Sequence, residues 1–260
     1  MNTSIKRLTN ALASRFGYHI VPEWRAQGWP LSRHLQQLFK ILEVNCVLDV
    51  GANEGQYHDF LRDEVGYSGL IISFEPIKGL ADRLLERAKS ESNWEVVGHA
   101  LGSAPGTLHF NVMSDSKFSS FLQPNHRQVG RFTNENRVVR IEAVQIETLD
   151  KVINETFEGL PNRHLYLKLD TQGSDLDVLL GAQTILHRLR GLQTEASVRP
   201  IYAGMSNHKE SLAALEAYGF DLSAMFPVSK DRAQRLIEYD MILVNRSWAD
   251  DVCGNAFVNR

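Results

Sequence analysis

Four carboxylates in this 260-residue chain stand at the ends of short apolar runs: Asp49 in VLDV, Glu75 in LIISFEP, Asp170 in HLYLKLD and Glu195 in LQTEAS. Runs of that length and hydrophobicity read as buried strands, so each acid is carried to the edge where its strand leaves the core. Asp170 and Glu195 are the chemically suggestive pair. On neighbouring strands about 4.8 Å apart, each would perturb the other's protonation, which is how a site keeps one acid poised as a general base. His208, opening a helix in GMSNHKE after the Glu195 strand, is a further candidate for reaching a substrate hydroxyl. In an alternative division of labour, Asp170 and Glu195 bind a divalent cation that lowers the hydroxyl pKa, although no metal site is expected.

The residues after Asp49 suggest a different task. In GANEGQY, Gly51, Asn53 and Gly55 alternate through a turn that opens a helix, and Ala52, Gln56 and Tyr57 border the same loop. Glycines let such a loop approach a ligand, and the amides of the helix start face outward. Glu75 follows Gly51 by twenty-four positions, about where nucleotide-binding folds place a ribose-binding carboxylate, and Pro76 aims the chain across the edge. The combination points to an adenosine-bearing cofactor. Its G-x-N-x-G spacing, unlike the G-x-G-x-x-G of nicotinamide and flavin folds, favours S-adenosylmethionine. No tyrosine has a lysine four positions later, which counts against a short-chain dehydrogenase. A nicotinamide-dependent oxidoreductase of Rossmann type and a non-catalytic cofactor-binding module are the alternatives. Ser119 and Ser120 are candidates for bonding the polar end of the cofactor or the substrate.

These residues need a scaffold that brings strand ends together. Strands are expected at 45–50, 70–76, 94–100, 164–170 and 192–197, with helices at 55–65, 78–90, 175–188 and 208–218 between them. In the helix at 78–90, Leu80, Leu84, Leu85 and Ala88 line up. Repeated strand–helix units imply a parallel, doubly wound sheet. DLSAMFPV and RLIEYDMILVN close the chain as a hairpin with one antiparallel strand. The expectation is a Rossmann-like, mostly parallel sheet of seven strands, the class I methyltransferase plan, preceded by N-terminal helices. Residues 1–43 form the helical lead-in, with Ile5, Leu8, Leu12 and Phe16 on one face and LSRHLQQLFKIL as a second helix. Residues 44–248 form the domain, and 249–260 a tail. At 101–145 two extended segments flank a polar stretch, 114–137, read as a lid or substrate loop.

Bulk properties narrow the partners. With 43% apolar and 23% charged residues the chain is an ordinary globular protein. A net charge of -3 without a long basic block argues against nucleic acid. Cys46 and Cys253 are far apart, and no helical histidine pair exists. No run approaches the roughly 18 apolar residues of a membrane span, and the N-terminus lacks a signal-peptide core, so stable membrane insertion is not expected and a cytoplasmic location is. The oligomeric state is not legible.

The series DVGANEG, FEP, Ala-Leu-Gly after the third strand, LKLDTQGSDLDVLLGA, TEASVRPIYAGM and the closing hairpin resembles the FkbM family of methyltransferases across residues 40–245. That resemblance implies a class I S-adenosylmethionine-dependent enzyme that methylates a hydroxyl of a sugar, glycan or secondary metabolite. It further implies that Asp49, Gly51, Asn53, Gly55 and Glu75 hold the cofactor, with Ala100 and Leu101 beside the adenine. Where the family often carries an acid before the glycine of KLDTQG, this chain has Gln172, which leaves Asp170 as the main acid there.

Overall fold

The computed structural model describes residues 15, 16, 18, 21–23 and 26–258, except 128–129, 158–159 and 161–162. The helix expected at 5–16 lies almost wholly outside them. The first described helix, α1 (Trp29–Ile41), starts with Pro30 in its first turn, where no amide is needed. Leu35, Leu38 and Phe39 lie on its buried face, and Glu43 ends it in a left-handed conformation at φ 52°. Beyond it the chain alternates: β1 (Cys46–Val50), α2 (Gln56–Phe60), β2 (Leu70–Phe74), α3 (Lys78–Ala88) and β3 (Trp94–Val97). The helix expected at 55–65 is α only to Phe60; it widens into a π turn over Leu61–Val65 and stops at Gly66. On α3, Leu80, Ala81 and Leu84 are buried, whereas Leu85, expected on that face, is 44% exposed.

Residues 101–145 are not a loop throughout. Ala100–Leu101 (β4), Gly106–Met113 (β5) and Val138–Glu147 (β6) form a three-stranded sheet in the order β4-β6-β5. Phe110, Val112, Val144 and Ile146 pack its inner face on Ile77 and Leu80 of the main layer. The polar stretch between β5 and β6 hangs from this small sheet.

The rhythm then resumes with α4 (Leu149–Thr156), β7 (Leu165–Leu169), α5 (Asp175–Leu180), β8 (Leu189–Ser197), α6 (His208–Ala217), β9 (Phe220–Lys230), β10 (Leu236–Asn245) and α7 (Arg246–Val258). The expected helix 175–188 is a short α5 followed by turns, and most of the expected tail 249–260 is helical. Seven strands order as β3-β2-β1-β7-β8-β10-β9, parallel except for β10, which runs antiparallel to β8 and β9. Every side chain of β1 and β7 is buried, as a parallel sheet covered on both faces requires. The order reverses between β1 and β7, opening a crevice beyond the carboxyl ends of the central strands.

Candidate active site

One face of the sheet carries a polar row that crosses six strands. Register places Asp49 opposite Ser73 on one side and Lys168 on the other, Lys168 opposite Gln193, Glu195 opposite Asp240, and Glu238 between Ser197 and Ser229. Directly paired residues share a face, so these groups assemble above an otherwise apolar layer. A buried polar row survives only if its members satisfy one another, and here most of them do, Asp49 Oδ1 being the oxygen of the row left without a hydrogen bond. Trp94 Nε1 donates to Ser73 Oγ (3.0 Å), which donates to Asp49 Oδ2 (3.2 Å). Lys168 Nζ lies 3.7 Å from Asp49 Oδ1 and 2.9 Å from Asp170 Oδ2. Tyr57 OH donates to Gln193 Oε1 (2.9 Å), whose amide donates to Asp240 Oδ1 (3.0 Å). Ser197 and Ser229 donate to the two oxygens of Glu238 at 3.2 and 3.0 Å.

Above this row the strand ends enclose a cleft of about 570 Å³. One half is walled by Gly51–Asn53, by Glu75–Ile77 and by His99, Ala100 and Leu101, with Phe110 from the small sheet and Phe121 from the polar stretch that follows β5 beside them. Gly51 (φ 83°) sits where a Cβ would meet the carbonyl oxygen of Asp170 at 2.1 Å, so the glycine is demanded by close approach of two backbones. Gly51 and Ala52 both donate to Phe74 O at 3.0 Å. The Glu75 carboxylate accepts from Asn53 N on one oxygen and Ile77 N on the other, each at 2.8 Å. Burial pushes its pKa up to about 7 despite these two bonds.

The other half is lined by Tyr57, Lys168, Asp170, Gln172, Gln193, Glu195, Glu238 and Asp240. Gln172 Nε2 donates to Asp170 Oδ1 (2.9 Å) and Glu195 Oε2 (3.3 Å). Desolvation, then the neighbouring Glu238, Asp170 and Asp240, raise the Glu195 pKa well above the usual carboxylate range. Burial likewise moves Glu238 up to about 7 and Asp240 to about 6. Lys168 stays charged: burial opposes its ammonium, but Asp170 and Asp49 outweigh that and raise its pKa. Among the described residues, two of the four non-glycine positions with positive φ, Asn53 (50°) and Gln172 (55°), lie on the cleft wall. Conformations of that kind cost about 1–3 kcal/mol and concentrate at functional sites.

Most of the residues singled out by sequence converge here: Gly51, Ala52, Asn53, Gln56, Tyr57, Glu75, Pro76, Ala100, Leu101, Ser119, Asp170 and Glu195 all border the cleft. Four do not. Asp49 is completely buried beneath Lys168 and reaches the cleft only through that ammonium. Gly55 (φ 88°) faces α3, where a Cβ would meet Arg87 Nη1 at 2.7 Å and Leu84 at 3.1 Å, so it starts a helix instead of touching a ligand. Ser120 is fully buried and donates to Gln172 O (2.8 Å). His208 follows the Asn207 cap and lies 3.1 Å from Tyr239 OH. Tyr239 projects to the opposite side of β10 from Glu238 and Asp240, which takes His208 away from the acids. The sequence reading missed Lys168, Gln193, Glu238 and Asp240. The signal for the last two was the pattern E-x-D inside the apolar run LIEYDMILV, two charges one strand period apart.

The described residues of the polar stretch 114–137 roof the cleft. Ser116, Lys117, Phe118, Ser119 and Phe132 line it. Ser116 Oγ donates to Asn53 Oδ1 (3.1 Å), and Tyr202 OH donates to Phe118 O (2.6 Å). Among the described residues, no group of three His, Cys, Asp or Glu side chains is arranged to hold a metal ion, and no helix is long and apolar enough to cross a membrane.

The seven-stranded order with its antiparallel β10, and a cleft at the reversal point tipped by Glu75, define the class I S-adenosylmethionine-dependent methyltransferase fold. Residues 49–222 match the family described as the Methyltransferase FkbM domain, and the chain belongs to that family. It is thus an S-adenosylmethionine-dependent methyltransferase, which replaces the nicotinamide alternative. A curated relative is the 2-O-methyltransferase NoeI of Sinorhizobium fredii (strain NBRC 101917 / NGR234), 28% identical over 219 residues that cover 81% of this chain and 84% of NoeI. Among solved structures, the methyltransferase FkbM from Methylobacillus flagellatus KT is 14% identical with a TM-score of 0.45, over 77% of this chain and 44% of that one. Aeropyrum pernix fibrillarin with natively bound S-adenosyl-L-methionine is 13% identical with a TM-score of 0.45, over 82% of this chain and 73% of that one.

Proposed function

We propose that the chain transfers a methyl group to a hydroxyl oxygen of a sugar, glycan or hydroxylated secondary metabolite. The observation that carries this reading is the position of the half-buried Glu195 carboxylate, with its raised proton affinity, in the same cleft as the Glu75 wall. The 2-O-methyltransferase name of NoeI supports oxygen as the acceptor atom.

The residues present fit an adenosyl group. Each Glu75 oxygen uses one lone pair on a backbone amide and keeps another for a ribose hydroxyl. Ala100 and Leu101, both buried, offer a flat apolar wall for the base. Gly51, Ala52 and Asn53 bring backbone alongside, with Gln56, Pro76 and Ser119 at the margin. Asp49 and Gly55 act from behind, as supports. When bound, S-adenosylmethionine supplies an electrophilic methyl on sulfur, so the protein has to align the acceptor, exclude water and remove one proton.

Asp170 is held by Lys168 and Gln172 and keeps both in place beside the acceptor. Glu195 takes the hydroxyl proton as the oxygen becomes the nucleophile. His208 has no part in this scheme. The test is transfer of labelled methyl from S-adenosylmethionine to a panel of glycans and hydroxylated metabolites, with and without EDTA. Label on a hydroxyl oxygen of one panel member, lost in Glu195→Gln, is the expected result. A chain that binds the donor and labels nothing would be a non-catalytic cofactor-binding module, and activity abolished by EDTA would move the proton to a metal-bound oxygen.

A further inference from the structure

Gln172 takes no part in the proton transfer set out above, yet four groups converge on it. Its Nε2 donates to Asp170 Oδ1 at 2.9 Å and to Glu195 Oε2 at 3.3 Å. Its Oε1 lies 3.0 Å from Tyr202 OH, whose one proton is shared between this oxygen and Phe118 O, and its main-chain carbonyl accepts from Ser120 Oγ at 2.8 Å. The backbone is held at φ 55°, a conformation a glutamine adopts only when its surroundings impose it. At the next residue, Gly173, a Cβ would meet Leu122 at 2.8 Å and Met205 at 3.2 Å, so the turn is wedged between the roof and the segment after β8.

We propose that Gln172 is a positioning residue that makes the two carboxylates unequal, tying Asp170 down and leaving Glu195 to take the proton. An amide has two N–H donors and one acceptor oxygen. Turned over, it would present oxygen to two carboxylates, so the acids themselves fix its orientation. Asp170 then has both oxygens occupied, Oδ2 by Lys168 and Oδ1 by Gln172. Among the described residues Glu195 receives from this amide only the longer bond. Among the described residues, the titratable groups that act on Glu195 are Lys168 on β7 and Asp170 just after it, Asp240 and Glu238 on β10, and Tyr202 in the segment after β8, and of these Lys168 is the one cation. A neutral donor between Asp170 and Glu195 is the element that lets them stand together without a second cation or a shared proton.

The proposal rests on Glu195 as the base, and the experiment separates the two claims. Gln172→Met keeps the length and the backbone preference of glutamine but removes both donors; Gln172→Gly removes the side chain and relieves the positive φ, so it folds wherever the parent does. With glutamate carboxyls labelled with carbon-13 in the full chain saturated with S-adenosylhomocysteine, and the Glu195 signal assigned by its loss in Glu195→Gln, the titration midpoint of Glu195 is read by NMR. In both Gln172 variants it is expected to rise by about one unit, a roughly tenfold loss of ionised base at any pH below it, with the S-adenosylhomocysteine Kd unchanged within about twofold. Tyr202→Phe moves the midpoint the same way by less. A midpoint unmoved in both Gln172 variants overturns the role of Gln172 with the base assignment intact, and so does a shift accompanied by a tenfold loss of S-adenosylhomocysteine affinity. Full methyl transfer by Glu195→Gln sinks the base assignment by itself.

Discussion

The two halves of the cleft are built on different principles. The wall at β1 and β2 is backbone: a left-handed glycine, a left-handed asparagine, and a single carboxylate pinned by two amides. The wall at β7, β8 and β10 is side chain: four carboxylates, one lysine and two glutamines that satisfy one another across strand registers. A backbone wall is rigid and chemically neutral, suited to gripping one invariant ligand. A side-chain wall can place protons, and its charges can be retuned one residue at a time without disturbing the grip next door.

That contrast is open to direct attack. The largest effect is expected from Glu195→Gln, which should lower turnover by roughly 10²–10⁴-fold while calorimetry finds the affinity for S-adenosylmethionine unchanged. Equal losses in both would show that the halves are not separate. Glu75→Ala should behave conversely, weakening S-adenosylmethionine by about 1.5–3 kcal/mol, or roughly 10–150-fold in Kd, with a smaller effect on turnover at saturation. Next comes a pair within the backbone wall. Gly51→Ala drives a Cβ into Asp170 O at 2.1 Å and should cost more than about 2 kcal/mol in denaturant unfolding. Gly55→Ala has the same backbone strain but meets first the movable end of Arg87, and should cost about 1 kcal/mol. If the two were equal, close approach of β1 and β7 would not be what fixes Gly51.

The smallest effect is in pH dependence. Glu75 and Glu238, raised from 4.5 to about 7, and Asp240, raised from 3.8 to about 6, hold protons in the folded chain that the unfolded chain has released. Their contribution is fully present below the unfolded values and is lost as pH rises through the folded ones. The melting temperature should therefore fall by a few degrees between pH 5.5 and pH 8 in the cofactor-free protein. Glu75→Gln should remove one share of that slope and leave the share of the β10 acids in place.

The backbone wall was legible in the sequence because its signals are local. An apolar run with an acid at its end, then a glycine-rich turn, declares both strand and edge within a dozen residues. Locality also misled: Gly55 looks like Gly51 in the string, and only the arrival of α3, thirty residues on, shows that it faces a helix. The side-chain wall was half legible. Asp170 directly follows its strand, Glu195 lies near the end of its own, and both announced themselves, but Lys168 and Gln193 sit one strand period further inside, and Glu238 and Asp240 come from a hairpin strand whose partner is set by antiparallel register. The small sheet was hidden for the same reason, since two-residue β4 has meaning only beside β6, more than forty residues later. His208 had the right chemistry in the right loop, and failed because strand alternation sends Tyr239, and the histidine with it, to the opposite face.

The roof over the cleft is fastened to both walls, to the glycine turn through Ser116 and Asn53, and to the acid wall through Ser120 and Gln172. Residues 116–120 therefore bridge the two walls. A strap fastened at both ends couples the two halves mechanically: whatever displaces it over one half pulls on the other.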